Sequence, residues 1–279
     1  MATSKPTPAK AVPSSAVQAE FEPAKFPRRP DSALIINADD WGRDIDTTDR
    51  ILECVNIGTV SSASAMVFME DSKRAADLAR ERKVDCGLHL NFTMPFSSLE
   101  CPSRLREHHA RVVHYLRRSR LAQTVYHPGL AASFRYVTEA QIEEYERSFG
   151  GAPRRIDGHH HMHLCANVLF AKLLPEDIIV RRNFSFRPGE KNSINRRYRS
   201  VIDRILSKRY RLTDYFFSLP PLEPPGRIEA IFSLARQFVV ELETHPVHPD
   251  EFRFLTSGEI QRRTPFVHIA QGYNHPLWN

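Results

Sequence analysis

The chain has 279 residues, of which 41% are hydrophobic, enough to fill the core of one α/β domain. Its formal net charge of +6 comes largely from two arginine-rich segments, and nucleic acid is not the expected partner. Four cysteines without CxxC spacing (Cys54, Cys86, Cys101, Cys165) exclude a disulfide framework and a thiolate zinc cluster, and no window reaches transmembrane length, so a cytoplasmic protein with buried free thiols is expected.

Residues 1–30 are rich in Ala, Pro, Ser and Lys without apolar periodicity, and read as a disordered tail before a domain at 31–279. They lack the apolar core of a secretory signal, although an organelle transit peptide has a similar composition. Ala33-Leu34-Ile35-Ile36 reads as a short buried strand, and Asn37-Ala38-Asp39-Asp40-Trp41-Gly42 follows where it stops. Two neighbouring carboxylates repel, so at least one must be paired, hydrogen-bonded or metallated. A division of labour follows, in which one aspartate holds a metal and the other stays free as a base.

Val84 to Leu90 reads as a second strand end from which His89 projects. Ser97 to Phe134 is basic (Arg104, Arg106, Arg111, Arg117, Arg118, Arg120) and is expected to form a helix-bearing βα loop over the mouth of the domain. Thr138 to Phe149 is predicted helical, with Thr138 and Gln141 as a capping box and Gly150-Gly151 as its stop. It leads into Ile156-Asp157-Gly158-His159-His160-His161-Met162-His163. As an extended segment, this run would alternate faces, with His159, His161 and His163 on one side. Imidazoles converging with a carboxylate and water make an open catalytic metal site.

A second basic stretch runs from Arg181 to Arg211 and includes Arg187 and Lys191. Tyr198 to Lys208 reads as a solvated helix face. The alternatives are an anion site for a phosphorylated, nucleotide-linked or lipid-phosphate sugar, or a membrane-surface contact. Interleaved aromatics, Phe184 and Phe216 among them, could stack on a sugar ring or belong to the core. Phe238 to Pro246 is strand-like, with Glu241, Glu243 and His245 on one face and Pro246 as its stop.

Each of these polar groups closes a β-like run, which is where a parallel α/β barrel gathers its active site. The motifs from Leu34 to Gly42, Gly87 to Thr93, Asp157 to His163 and Glu241 to Pro246 resemble those of the YdjC-like carbohydrate deacetylase family, which includes chitooligosaccharide deacetylases. The resemblance runs from about Ala33 to the C-terminus. It implies an incomplete TIM-like (β/α) barrel with the active site at the C-terminal rim of the strands. It further implies one divalent metal ion, magnesium or zinc or another transition metal, on Asp40, His89 and His159. Asp39 becomes the base that activates water and His245 the acid, with His161, His163 and Glu241 behind these groups or against substrate.

Two departures stand out. Pro246-Val247-His248 occupies the place where the family often has a glycine after His-Pro, and Asp44 and Asp46 follow the aspartate pair. Asp44 is read as a cap of the following helix, with tuning of metal affinity as the alternative. The expected function is metal-dependent removal of an N-acetyl group from an amino sugar or glycoconjugate. The alternatives are another metallohydrolase activity, such as phosphoester cleavage, and a non-catalytic basic binder of polyanions or anionic surfaces. A homodimer is compatible with either.

Overall fold

The computed structural model of the protein describes residues 32–186, 192–224 and 226–273. The expected tail at residues 1–30, Arg187 and Lys191 lie outside the described residues. Seven strands, β1 (Ala33–Trp41), β2 (Ser62–Ala65), β3 (Cys86–Leu90), β4 (Arg155–Gly158), β5 (Ile179–Val180), β6 (Tyr215–Ser218) and β7 (Val239–Thr244), form one sheet. Its order is β5-β4-β3-β2-β1-β7-β6 and every pairing is parallel. Parallel neighbours cannot be joined by hairpins, so crossover segments return the chain to the start of each next strand. Helices in those crossovers are α1 (Ile45–Ile57), α2 (Ser72–Arg82), α3 (Ser103–Arg118), α4 (Ala131–Phe149), α5 (Ala166–Phe170), α6 (Ser193–Leu206) and α7 (Gly226–Leu234); α8 (Pro249–Thr256) and α9 (Glu259–Arg263) follow β7.

Alternation along β1 sorts its side chains between two sides of the sheet. Leu34, Ile36 and Ala38 join Ile51, Ala79, Val137 and Leu255 in the main core beneath the helices. Ile35 faces the other way and packs with Ile179, Val239, Ala270 and Tyr273. Ile179 lies on β5, four places from β1 in the sheet order. These two residues can share a cluster only if the sheet curls, so this small cluster plugs the foot of a concave interior. The result is the expected incomplete barrel, open between β5 and β6.

Two local expectations hold. Asp44 caps α1, its side chain accepting from the Thr47 N–H at 2.8 Å, which is worth about 1 kcal/mol. Gly150 stops α4 in the left-handed region at φ 82°, its N–H donating to the Glu146 carbonyl. One does not hold: α4 begins at Ala131, so Thr138 is an interior residue and not a cap. Its hydroxyl donates to the Phe134 carbonyl at 2.8 Å. Gln141 points into the core, accepting from the Asn91 N–H at 2.7 Å and donating to the Asn91 carbonyl at 3.1 Å. The pair of residues that reads as a cap instead fixes the backbone just after β3.

Candidate functional site

The concave side of the sheet is polar above its apolar plug. Asn37 and Asp39 of β1, Ser62 and Ser64 of β2, Arg155 and Asp157 of β4, and Glu241 and Glu243 of β7 are all buried. They are joined by bonds from Asn37 Nδ2 to Ser64 Oγ (2.8 Å), Ser64 Oγ to Asp157 Oδ2 (2.6 Å) and Arg155 to Ser62, Ser64 and Asp157 (2.7–3.0 Å). Polar groups in such a place must be satisfied, and this ladder pairs most of them strand by strand, Asn37 Oδ1 remaining buried without a hydrogen-bond partner.

At the rim, successive residues of a regular strand would point to opposite faces. Asp39 and Asp40 do not, because β1 carries one extra residue there. Ala38 pairs with Ala63 while Trp41 already pairs with Ala65, and Asp40 adopts φ 70°. A bulge of this kind re-aims side chains and is common beside functional sites. Both carboxylates therefore meet His89, whose Nε2 lies 3.3 Å from Asp40 Oδ1 and 3.9 Å from Asp39 Oδ2.

His89 stands opposite Asp157 in the β3–β4 register, and its Nδ1 donates to Asp157 Oδ1 at 2.7 Å. Burial pushes the Asp157 carboxyl up, but Arg181 and the His89 hydrogen bond outweigh this and hold it well below the usual range. The ionised Asp157 orients the His89 ring and aims Nε2 at the aspartate pair. Burial lowers the His89 pKa, yet Asp39 and the carboxylates hydrogen-bonded to it raise it to about 10. Positive charge is thus strongly favoured at the point that His89 faces.

His159 follows β4 directly, with Nδ1 3.0 Å from Asp40 Oδ1. Asp40 also accepts from Arg43 at 2.8 Å. Despite burial, bonds to His159 and His89 hold the Asp40 carboxyl well below the usual range. His159 Nε2 is buried without a hydrogen-bond partner. Ligand-capable atoms of Asp40, His89 and His159 lie within 4.8 Å of one another, so two imidazoles and a carboxylate could hold one divalent cation.

The histidine run is not extended, which corrects the expected alternation. β4 ends at Gly158, and His159 to Leu164 form a 3₁₀ segment with His160 and His161 in the left-handed region at φ 53° and 58°. A Cβ at Gly158 would come within 3.0 Å of the His163 backbone nitrogen, so the tight return needs glycine. The four imidazoles consequently scatter. His160 Nδ1 meets Thr93 Oγ1 at 3.0 Å, and His163 Nε2 donates to the Arg181 carbonyl at 2.9 Å. His161 packs edge-on to Phe184, and its Nε2 is 3.6 Å from Glu243 Oε2.

Arg181, just after β5, is a residue of the candidate site that reads from the sequence only as the start of a basic stretch. It is buried, and its two terminal nitrogens grip both oxygens of Asp39 at 2.7 Å each. Its Nε donates to Glu241 Oε1 at 2.7 Å, its remaining contacts reach Glu243 and Asp157 at 3.2 Å, and Phe216 lies 4.9 Å beneath it. Burial raises the Asp39 pKa, but Arg181 and His89 bring it below its ordinary value. The signal was present: Ile178-Ile179-Val180-Arg181 is another apolar run closed by one charged residue. Phe216, one of the aromatics left open between sugar platform and core, is core, whereas Phe184 stacked on it is half-buried.

Glu241 is buried under Arg181. Glu243 is raised well above the usual carboxyl range by burial and by repulsion from Asp39. His245 follows β7, half-buried, with ligand-capable atoms of Asp39, Glu243 and His245 within 4.8 Å of one another. Its N–H is fixed by Glu251 Oε2 at 2.8 Å, and the turn closes through His248 N–H to the His245 carbonyl at 2.9 Å. No residue of this turn has positive φ, so the missing glycine costs nothing here. A groove of about 1140 Å³ opens beside His245, with Pro221, Leu222 and Phe254 on its walls.

A family model for YdjC-like proteins matches residues 33–265. A carbohydrate deacetylase from Vibrio parahaemolyticus is 26% identical over 239 residues, covering 82% of this chain and 84% of its own. One from Mus musculus is 31% identical over 157 residues (53% of this chain), and a chitooligosaccharide deacetylase from Proteus mirabilis is 33% identical over 132 (47%). The chain spans about half the length of these last two, 48% and 50%. The fold is shared with a solved structure from Enterococcus faecalis V583, described as that of a candidate cellobiose-phosphate cleavage protein. The TM-score is 0.58 at 20% identity, covering 86% of this chain and 97% of the other.

Proposed function

The chain belongs to the YdjC-like family, and we propose that it is a metal-dependent hydrolase removing an N-acetyl group from an N-acetylated amino sugar or glycoconjugate. The observation that carries the reading is the splitting of the aspartate pair: Asp40 faces two imidazoles, while Asp39 is held by a guanidinium. Asp40, His89 and His159 would hold one divalent cation. Mixed nitrogen and oxygen donors suit zinc or another transition metal, with magnesium as the alternative. Such a cation supplies Lewis acidity and brings the pKa of a bound water towards ~7.

The protein's own groups do the rest. Asp39 stays ionised because Arg181 holds both its oxygens, so it can accept the proton of the attacking water. A carboxylate held this low is a weak base, which is why the water must be acidified first. His245 lies near Asp39 on the open side and returns a proton to the departing amine. Glu241 holds Arg181 from beneath, and His163 holds the same segment through the Arg181 carbonyl. His161, backed by Phe184 and partly exposed, faces substrate.

The test is acetate release from free, oligomeric, lipid-linked and nucleotide-linked N-acetylated sugars, after chelation and again after metal re-addition. Metal-restored release from one class is expected. Stoichiometric metal with no release from any class would point to another hydrolase activity, such as phosphoester cleavage.

A further inference from the structure

Helix α6 carries an apolar stripe that the fold covers only in part. Ile194, Tyr198, Val201 and Ile205 are 79, 48, 50 and 49% exposed. Their spacing of four, three and four residues puts them on one line along the helix. The opposite face is the one that packs. Leu206 is buried there with Asp203, and Asp203 accepts from Arg182 at 2.9 Å and from the Asn183 N–H at 3.0 Å. Arg199 lies over Phe186 at 5.0 Å. This side of the helix is fastened to residues directly after Arg181, at the rim of the half-barrel, so the stripe is not a packing face left loose.

The exposed charge on α6 itself, among the described residues, is of one sign. Arg197 and Arg204 are exposed and, seven residues apart, run along one edge of the stripe, and Lys208 is exposed just past the end of the helix. The only acidic residue of α6, Asp203, is buried in the contact with Arg182. No helix among the described residues is long and apolar enough to cross a membrane. An apolar stripe edged by arginine and lysine, with an aromatic residue in it, is the pattern of a helix lying in the plane of a bilayer interface. A second copy of the same face would bring these like charges together, whereas anionic headgroups complement them.

We propose that α6 docks the protein on anionic lipid bilayers, with Ile194, Tyr198, Val201 and Ile205 in the headgroup–acyl boundary and Arg197, Arg204 and Lys208 on lipid phosphates. Its fastening through Asp203 then places the candidate active site close to the membrane surface. The inference stands independently of the proposed deacetylation, because its readout is lipid binding.

The experiment is co-sedimentation of the full chain with vesicles of phosphatidylcholine alone or with about a third phosphatidylglycerol, at low and high ionic strength. Binding should be at least ~10-fold tighter to the anionic vesicles and weaken with salt. The double variant Val201→Glu/Ile205→Glu should lose ~10-fold or more of that binding with an unchanged circular dichroism spectrum. Arg197→Glu/Arg204→Glu should remove most of the salt dependence. Equal binding to both vesicle types, or wild-type binding by the Val201→Glu/Ile205→Glu variant, would overturn the proposal. So would a dimer, seen by light scattering, that this variant breaks without changing vesicle binding, since the stripe would then belong to a second copy.

Discussion

Replacing Arg181 by lysine keeps a positive charge but removes the planar fork, and so isolates what the fork does. The guanidinium satisfies both Asp39 oxygens at 2.7 Å and Glu241 at 2.7 Å, with Glu243 and Asp157 at 3.2 Å. A compact ammonium cannot span Asp39 and Glu241 together, so at least two charge-assisted hydrogen bonds are lost, each worth ~1.5–3 kcal/mol. The retained charge recovers part of this, giving an expected stability loss of ~2–4 kcal/mol in urea unfolding. Methionine would be a poorer probe, because leaving buried carboxylates without a cation costs about 3–5 kcal/mol and endangers folding. With Asp39 released from two-point attachment, turnover measured by acetate release should fall ~10²-fold. Metal stoichiometry should change little, since Arg181 touches none of Asp40, His89 or His159. Arg181 also depresses the Asp39 pKa, so the acid limb of the rate profile should move to higher pH. A folded Arg181→Lys protein with wild-type turnover and an unmoved acid limb would refute both the fastening and the assignment of Asp39 as base.

The aspartate pair should separate chemically: Asp39→Asn should keep its metal and lose ~10²–10⁴-fold in turnover, whereas His159→Ala should lose metal as well, both read by metal analysis beside acetate release. Asp157→Asn removes the carboxylate that orients His89 and should weaken metal affinity ~10–100-fold in competition with a chelator, and unchanged affinity would count against the orienting role. His109 is buried with its pKa pushed down to about 4 by desolvation, so in acid the unfolded chain binds a proton that the folded one refuses. Stability should therefore fall as pH drops from about 6.5 to about 4, by up to ~3 kcal/mol, and metal-free His109→Asn should show a shallower decline than metal-free wild type.

The architecture was legible because parallel strands buried on both sides announce themselves as apolar runs, and the runs at Ala33, Val84 and Phe238 needed no tertiary information. Their closing residues are legible too, since Asp39, Asp40, His89 and His245 are polar groups at apolar strand ends. What the sequence hid was conformation decided by close contact. The return after Gly158 depends on packing against His163, so the alternation expected for His159 to His163 gave way to two left-handed residues. Thr138 and Gln141 have the right types and spacing for a cap, but Ala131 to Val137 extend the helix upstream and turn both residues inward. Arg181 was hidden differently, by composition. It begins a run of arginines, and only the curl of the sheet separates it from those on α6.

The interior also shows why two identical neighbours can hold different roles. Asp39, Asp40, Asp157, Glu241 and Glu243 share one buried space with Arg155 and Arg181, and Arg43 reaches Asp40 from the edge. Carboxylates outnumber guanidiniums there, and the imbalance is relieved in two ways. Glu243, nearest the repulsion of Asp39, is raised well above the usual carboxyl range and so tends to keep its proton. At Asp40 the relief is positive charge on His89, the place where a bound cation would stand instead of a proton. A single bulge decides which aspartate meets which partner: one residue fewer in β1 would return Asp39 and Asp40 to opposite faces. The proposed base and the proposed metal ligand would therefore be separated by backbone register, not by residue type.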